Sequence, residues 1–236
     1  MTIFQCQVHQ ACDAVTLGRD LADFVAGCLR DGLAQRDQAL LVVSGGSTPV
    51  PFFEALSAMV LDWARVTVTL ADERWVPPDH LDSNERLVRQ HLLKGPAAQA
   101  RWVSLKTADA TAQQGQPKVE SALAALPWPA DVVVLGMGSD GHTASLFPHS
   151  VALREALTVP AVARCLAVAA PDVPNVPVPR ISLNKRALLD ARQVVVHITG
   201  AAKWALLQEA IKPGAVEDLP IRLALQGHPC HVYQTL

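Results

Sequence analysis

Short apolar runs with little polar alternation recur along the chain: Gln38–Val43 (QALLVV), Val66–Leu70 (VTVTL), Asp131–Leu135 (DVVVL), Gln193–Ile198 (QVVVHI) and, more weakly, Cys165–Ala169. They are too short for helices and rich in β-branched valine, so they read as strands. A strand open to water on one face alternates apolar and polar residues. These do not alternate, which predicts strands covered on both faces, as in a parallel sheet. Between the runs the apolar spacing changes to a helical period. Leu17, Leu21, Phe24, Cys28 and Leu29 share one face of a long first helix; Val119, Leu123 and Leu126 do so in another, and Trp204, Leu207 and Ile211 in a third. Pro49 suits a helix start, because its ring already holds φ near the helical value, and Ser83 ahead of NERLVRQHLL is placed to cap one. Strand and helix alternate throughout. This predicts an α/β fold, a single domain over residues 1–236 with a mainly parallel sheet and helices on both faces. The stretch Pro171–Pro179 (PDVPNVPVP) reads as a stiff loop rather than a linker, since the same rhythm resumes beyond it.

Composition narrows the function classes. The 236 residues are 50% hydrophobic and 18% charged, the reverse of a disordered chain. With 22 acidic against 20 basic residues and a net charge of −2, no basic excess is present to meet a nucleic-acid backbone. No apolar run approaches the ~18–20 residues that span a bilayer. Neither nucleic acid nor membrane is expected as a partner. The opening MTIFQCQVHQACDAV lacks the basic start and continuous apolar stretch of a secretory signal. Cys6, Cys12, Cys28, Cys165 and Cys230 form an odd set with no CxxC pair, so reduced thiols in a cytoplasm are expected.

Ligands of open α/β sheets bind beyond the carboxyl ends of the strands, and the chain's least ordinary segments fall there. After Gln38–Val43 comes Ser44-Gly45-Gly46-Ser47-Thr48-Pro49, a small-residue loop feeding a helix. Glycines let backbone amides approach an anion, the hydroxyls add donors, and a helix N-terminus favours negative charge. A phosphate is the natural guest; a plain strand-to-helix turn is the alternative. After Val66–Leu70 come Asp72-Glu73-Arg74-Trp75 and then Asp82-Ser83-Asn84. An arginine in such a turn can clamp a phosphate or carboxylate, and a carboxylate can bind sugar hydroxyls or act as a base. The alternative is a surface ion pair beside a helix cap, and Ser83 and Asn84 are expected to be partly structural.

The segment after Asp131–Leu135 carries the most chemistry: Gly136-Met137-Gly138-Ser139-Asp140-Gly141-His142-Thr143. Its glycines imply close backbone approach or positive φ. His142 follows them with a side chain suited to proton transfer near neutrality, and Asp140 stands two residues before it. A dinucleotide site is not expected, because no GxGxxG opens the first strand–helix unit. Two cations complete the set. Arg180 follows the proline-rich loop, and Lys203 falls in the first turn of the helix after Gly200. A lysine there opposes the helix dipole unless an anion lies at the helix start; each cation alone also reads as an exposed surface charge. His228 and His231 flank Pro229 and Cys230 without further ligands at metal spacing, so no metal is expected. Trp63, Trp102, Trp128 and Trp204 are expected in the packing rather than in a stacking platform.

Taken together, SGGSTP at 44–49, ADERWVPPDHLDSN at 71–84, LGMGSDGHTASLFP at 135–148, PRIS around Arg180 and Gly200-Ala201-Ala202-Lys203 resemble the 6-phosphogluconolactonase family, in order and over essentially the whole chain. The resemblance implies a modified Rossmann-like fold shared with glucosamine-6-phosphate deaminases. It implies hydrolysis of 6-phospho-D-glucono-1,5-lactone in the oxidative pentose phosphate pathway, without a cofactor, by a monomer or weak dimer. The site it implies has His142 as general base beside Asp140. Gly45, Gly46, Ser47, Thr48, Arg180 and Lys203 would hold the 6-phosphate, and Asp72 and Arg74 would line the sugar end. Ser182 stands where the family often has Thr, and the chain ends in Tyr-Gln-Thr-Leu rather than in a Trp/Asp-rich tail. A deaminase is the nearest rival, but its pattern after DGH resembles IAFNEP, against Thr143-Ala144-Ser145-Leu146-Phe147-Pro148 here, and it carries Asp-Glu-Tyr where this chain has Asp72-Glu73-Arg74-Trp75. A sugar-phosphate sensor of a transcription regulator would need an attached DNA-binding module; the first strand is expected within the opening residues, which leaves no room for one.

Overall fold

Valine-rich runs form the middle of the principal sheet, and the order in which the chain adds strands to them creates the cleft. The computed structural model describes residues 6–158, 162–172, 176–225 and 229–236. Among these the strands are β1 (Cys6–Gln10), β2 (Ala39–Val43), β3 (Val66–Leu70), β4 (Asp72–Arg74), β5 (Arg101–Trp102), β6 (Ala130–Leu135), β7 (Cys165–Val168), β8 (Arg180–Leu183), β9 (Ala191–Thr199) and β10 (Cys230–Thr235). The helices are α1 (Ala14–Arg36), α2 (Val50–Ser57), α3 (Asn84–His91), α4 (Ala112–Ala124), α5 (Val151–Thr158), α6 (Lys185–Leu189), α7 (Ala201–Ile211) and α8 (Arg222–Leu225).

Seven strands form one sheet in the order β1-β10-β9-β6-β2-β3-β5, with every pairing parallel. Every residue of β2, β3 and β6 is buried, so both faces of the sheet's centre are covered, as the uninterrupted apolar runs predict. The long first helix starts from Asp13, whose carboxylate accepts the N–H groups of Val15 and Thr16 at 2.8 Å. Leu17, Leu21 and Leu29 on its inner face are fully buried. Gly18 of α1 lies against the backbone of α2: a Cβ there would stand 2.7 Å from the Phe52 nitrogen and the Pro51 carbonyl carbon. The glycine therefore sets how closely the two helices approach. No helix among the described residues is long and apolar enough to cross a membrane.

Several expectations are corrected. The run at Cys165–Ala169 does form a strand, β7, but in a separate antiparallel sheet of order β4-β8-β7. Asp72–Arg74, read as a turn, is strand β4 of that sheet, because its backbone pairs with β8 immediately after the chain leaves β3. Leu126 lies beyond α4. Pro49 does stand at a helix start, as expected: it is the N-cap of α2, with φ of −78°, and the helix begins at Val50. Trp63 is buried, and Arg164 and Arg89 lie over the rings of Trp128 and Trp102. His228 and residues 173–175 of the proline-rich stretch lie outside the described residues.

Candidate active site

β2 and β6 are neighbours, yet the chain leaves them in opposite directions. After β2 it proceeds to β3 and β5 on one side; after β6 the later strands β9 and β10 extend the sheet on the other. The loops beyond the two strands consequently part, and a crevice opens between them. Ser44 holds the floor together: its Oγ donates to the Val134 carbonyl at 3.1 Å and accepts the Gly136 N–H at 3.2 Å. The crevice is a cavity of about 370 Å³, within the range of small-molecule sites. Its walls come from 44–49, from 134–144, from β4 and β8, and from the end of β9 with the start of α7.

The first wall is built for an anion. Gly46 has φ of +88°, a conformation that favours glycine, and Gly45 is packed so tightly that a Cβ would fall 1.8 Å from Asn84 Oδ1. The loop runs straight into α2, whose N-terminus has no side-chain cap. Among the described residues, the N–H groups of Gly45, Gly46, Ser47 and Thr48 have no acceptor within the protein. Thr48 Oγ1 lies 3.5 Å from Thr199 Oγ1, which brings the loop beside the start of α7. That helix also starts without a side-chain cap, after Gly200 at φ +95°. Lys203 in its first turn lines the cavity, and burial lowers the pKa of its ammonium.

The antiparallel sheet supplies the second group. Arg74 and Arg180 are register partners across β4 and β8, as are Asp72 and Ser182. Both arginines line the cavity. Arg74 Nη1 donates to the Asp82 carbonyl at 2.7 Å, and Arg180 Nη2 to the Val176 carbonyl at 3.2 Å. The Nε of each has no partner among the described residues. Arg180 is 3% exposed and lies over the Phe147 ring at 5.4 Å; burial pulls its pKa below the usual guanidinium value, against the pull of Asp72. Asp72 accepts Ser145 Oγ–H at 2.6 Å and lies 3.9 Å from Arg180 Nη1. Glu73 points away from the cavity and organises the start of α3. Its carboxylate accepts the N–H groups of Arg74, Asn84 and Glu85 and the hydroxyl of Ser83. Burial pushes the Glu73 carboxyl up in pKa, against those four bonds.

The third wall carries His142. Its Nδ1 lies 2.5 Å from Asp140 Oδ1, and its ring packs on Phe147 with centroids 4.6 Å apart. Gly138 makes room for it: a Cβ at 138 would stand 2.1 Å from both Cε1 and Nδ1 of the imidazole. Gly141 has φ of +80°, and its carbonyl accepts the Ile221 N–H at 2.9 Å, anchoring the loop to the start of α8. Burial would raise the Asp140 carboxyl, but the side-chain and backbone hydrogen bonds from His142 outweigh it and hold the pKa below the usual carboxylate range.

Gly45, Gly46, Ser47, Thr48, Asp72, Arg74, His142, Arg180 and Lys203 thus all face one cavity, with Asp140 just behind His142. Two lining residues carry more than the sequence suggested. Asn84, read as part of a helix cap, also wedges between Gly45 and Asp72, donating to the Asp72 carbonyl at 2.9 Å. His197, hidden inside the β9 run, reaches the wall beside Lys203; a titratable residue near a strand's carboxyl end was the available signal. None of Trp63, Trp102, Trp128 and Trp204 lines the cavity. No group of three or more His, Cys, Asp or Glu side chains gathers to hold a metal among the described residues.

Comparison with known proteins identifies the family. The family model described as glucosamine-6-phosphate isomerases/6-phosphogluconolactonase matches residues 12–233. A 6-phosphogluconolactonase of Pseudomonas putida is 45% identical over 227 residues, covering 96% of this chain and 92% of its own. One from Pseudomonas aeruginosa is 49% identical over 217 residues, covering 91% and 89%. The crystal structure of a 6-phosphogluconolactonase from Shewanella baltica superposes with a TM-score of 0.92 at 40% identity, covering 100% of this chain and 99% of that one. A monomeric glucosamine-6-phosphate deaminase of the NagB superfamily, 17% identical, shares the fold with a TM-score of 0.78 over 97% of each chain.

Proposed function

The chain belongs to the family of glucosamine-6-phosphate isomerases and 6-phosphogluconolactonases, and from that premise we propose how its cavity hydrolyses 6-phospho-D-glucono-1,5-lactone to 6-phospho-D-gluconate in the oxidative pentose phosphate pathway. The observation that carries the reading is the facing, across one cavity, of a carboxylate-held histidine and a loop whose amides have no acceptor among the described residues.

A lactone carbonyl is electrophilic enough for water to attack it with general-base help. His142 takes the proton from the water that adds to C1 and returns it to the ring oxygen as the C–O bond breaks. Asp140, ionised beside it, favours the imidazolium that forms in between. Charge developing on the carbonyl oxygen needs fixed donors. The N–H groups of Gly136, Gly138, Gly141 and His142 are already spent within the protein. Within the 136–143 loop, the amides of Met137 and Ser139 line the cavity and have no acceptor among the described residues, which leaves them to meet that oxygen. The 6-phosphate is held by the amides and hydroxyls of Gly45, Gly46, Ser47 and Thr48, with Lys203 and Arg180. Arg74 binds the sugar end. Asp72, tied to Ser145 and close to Arg180, orders that end rather than abstracting a proton.

The test follows the disappearance of freshly made lactone against a no-enzyme control, since the lactone also opens spontaneously. The expected result is catalysis that His142→Ala abolishes with substrate binding intact. Turnover near wild type in that variant would remove His142 from the role of base. Ammonia release from glucosamine 6-phosphate would replace the lactonase reading with a deaminase.

A further inference from the structure

β9 carries a histidine within a run of valines and isoleucine, and the chemistry above makes no use of it. His197 is 3% exposed, and neither ring nitrogen has a hydrogen-bond partner among the described residues. A neutral imidazole carries one N–H and one bare nitrogen, and buried polar atoms are nearly always matched. A ring that only filled space would have no need of either nitrogen. Its surroundings show where a partner would come from. The Phe52 ring of α2 meets it edge-on, with centroids 6.3 Å apart at 87°. The residue also forms part of the cavity wall together with Ser47, Thr48, Pro49 and Lys203. Side chains two apart on a strand share a face, and Thr199 reaches Thr48 of the anion loop. His197 therefore lies on the face of β9 that looks toward that loop.

We propose that His197 is a further substrate-binding residue, a neutral imidazole whose N–H donates to the phosphate group seated between residues 45–48 and Lys203. This rests on the lactonase reading above and extends it to what selects the phosphorylated substrate. Burial, with the charge of Lys203 second, holds the ring uncharged, with a pKa lowered to about 4. The ring thus adds a directed donor without burying another cation beside Lys203, and the phosphate oxygen supplies the partner that its N–H lacks.

The test compares His197→Leu with His197→Gln, which keeps a side-chain N–H. Lactone kinetics are measured alongside calorimetric binding of the product, 6-phosphogluconate. In His197→Leu the KM for the phosphorylated lactone rises and product affinity falls, each about tenfold, the effect of one hydrogen bond to a charged group. kcat changes far less, and His197→Gln recovers most of the loss. A folded His197→Leu protein with wild-type KM and product affinity overturns the proposal. Should that variant fail to fold, nitrogen-15 resonances of the wild-type His197 ring decide instead. They shift on saturation with 6-phosphogluconate if the ring binds the phosphate; unchanged resonances overturn the assignment. Product binding that depends on His197 in a protein unable to open the lactone would overturn the hydrolytic reading alone.

Discussion

Oδ1 of Asp140 lies 2.5 Å from Nδ1 of His142 and accepts the backbone N–H of the same histidine at 3.0 Å. One oxygen thereby fixes both the ring and the turn that carries it. With Nδ1–H directed at the carboxylate, Nε2 is the bare nitrogen that can receive a proton. Asp140→Asn removes the charge and gives the ring an amide that can present either end to Nδ1. The expected result is a fall in kcat of about a hundredfold or more with KM little changed. Initial rates corrected for spontaneous lactone opening measure it, and a wild-type kcat would sink the arrangement.

Gly138 and His142 compete for the same space. An alanine methyl at 138 stands 2.1 Å from the imidazole and 2.8 Å from Asp140 Oδ1, a separation that forces the ring out of place. Gly138→Ala should lose activity to the extent of His142→Ala. The cavity gives the displaced ring somewhere to go, so the thermal midpoint should move by only a few degrees. Activity and melting are measured on one preparation; full activity in Gly138→Ala would contradict the packing.

Much of this site is legible in the sequence because its chemistry is concentrated in loops whose residue types are rare elsewhere. Glycines at 45, 46, 138 and 141 announce backbone approach, and the structure gives each a reason: a neighbour where Cβ would stand, a positive φ, or both. The parallel strands are legible because burial on both faces removes polar alternation, as in β2 and β6. The antiparallel sheet is not. β4 is three residues of mixed charge, and what makes it a strand is pairing with β8, more than a hundred positions away. Local pattern carries no record of that partner. His197 escapes for a related reason: inside QVVVHI it reads as one residue of a strand, and only the proximity of Thr48 and Lys203 gives its ring a purpose.

Glu73 invites a stability test separate from catalysis. Its Oε1 accepts the N–H groups of Arg74 and Asn84 at 2.7 and 2.8 Å, and its Oε2 the hydroxyl of Ser83 and the N–H of Glu85 at 2.9 and 2.7 Å. Glutamine has the same shape but would turn an NH₂ toward donors on one side. Glu73→Gln is expected to lose about 2–4 kcal/mol in urea unfolding, the effect of leaving buried donors unmatched. Because Asn84 is thereby released from Gly45 and Asp72, KM should rise as well. Unchanged stability would show that the four bonds are not what holds the start of α3.

Two glycines of α1 should respond in opposite directions. A Cβ on Gly27 meets nothing within 4 Å, whereas one on Gly18 meets α2 backbone atoms at 2.7 Å. Gly27→Ala should stabilise by about 0.5–1 kcal/mol through helix propensity alone. Gly18→Ala should destabilise, because backbone cannot rotate away, and should displace the anion loop that leads into α2. Paired urea titrations test both; equal effects would mean that the α1–α2 approach is looser than the contact distances imply.

The buried imidazole of His197 also ties stability to pH. Its pKa is about 4 in the folded protein, against ~6.5 in an unfolded chain. Below about pH 6.5 the unfolded chain takes up a proton that the folded one refuses. Stability present above that pH is therefore lost as the pH falls toward 4, and the loss levels off beyond it. At ~1.4 kcal/mol per pH unit the whole window amounts to roughly 3 kcal/mol. Asp140 acts in the same direction but lower, since its depressed carboxyl contributes stability above the ordinary carboxylate pKa and loses it below. Glu73, with its carboxyl raised by burial, acts oppositely, gaining stability as the pH falls. A direct comparison removes both contributions: across this window the wild type should lose roughly 3 kcal/mol more than His197→Leu. Urea unfolding at a series of pH values measures the difference, and parallel curves for the two proteins would show that His197 is not held neutral in the fold.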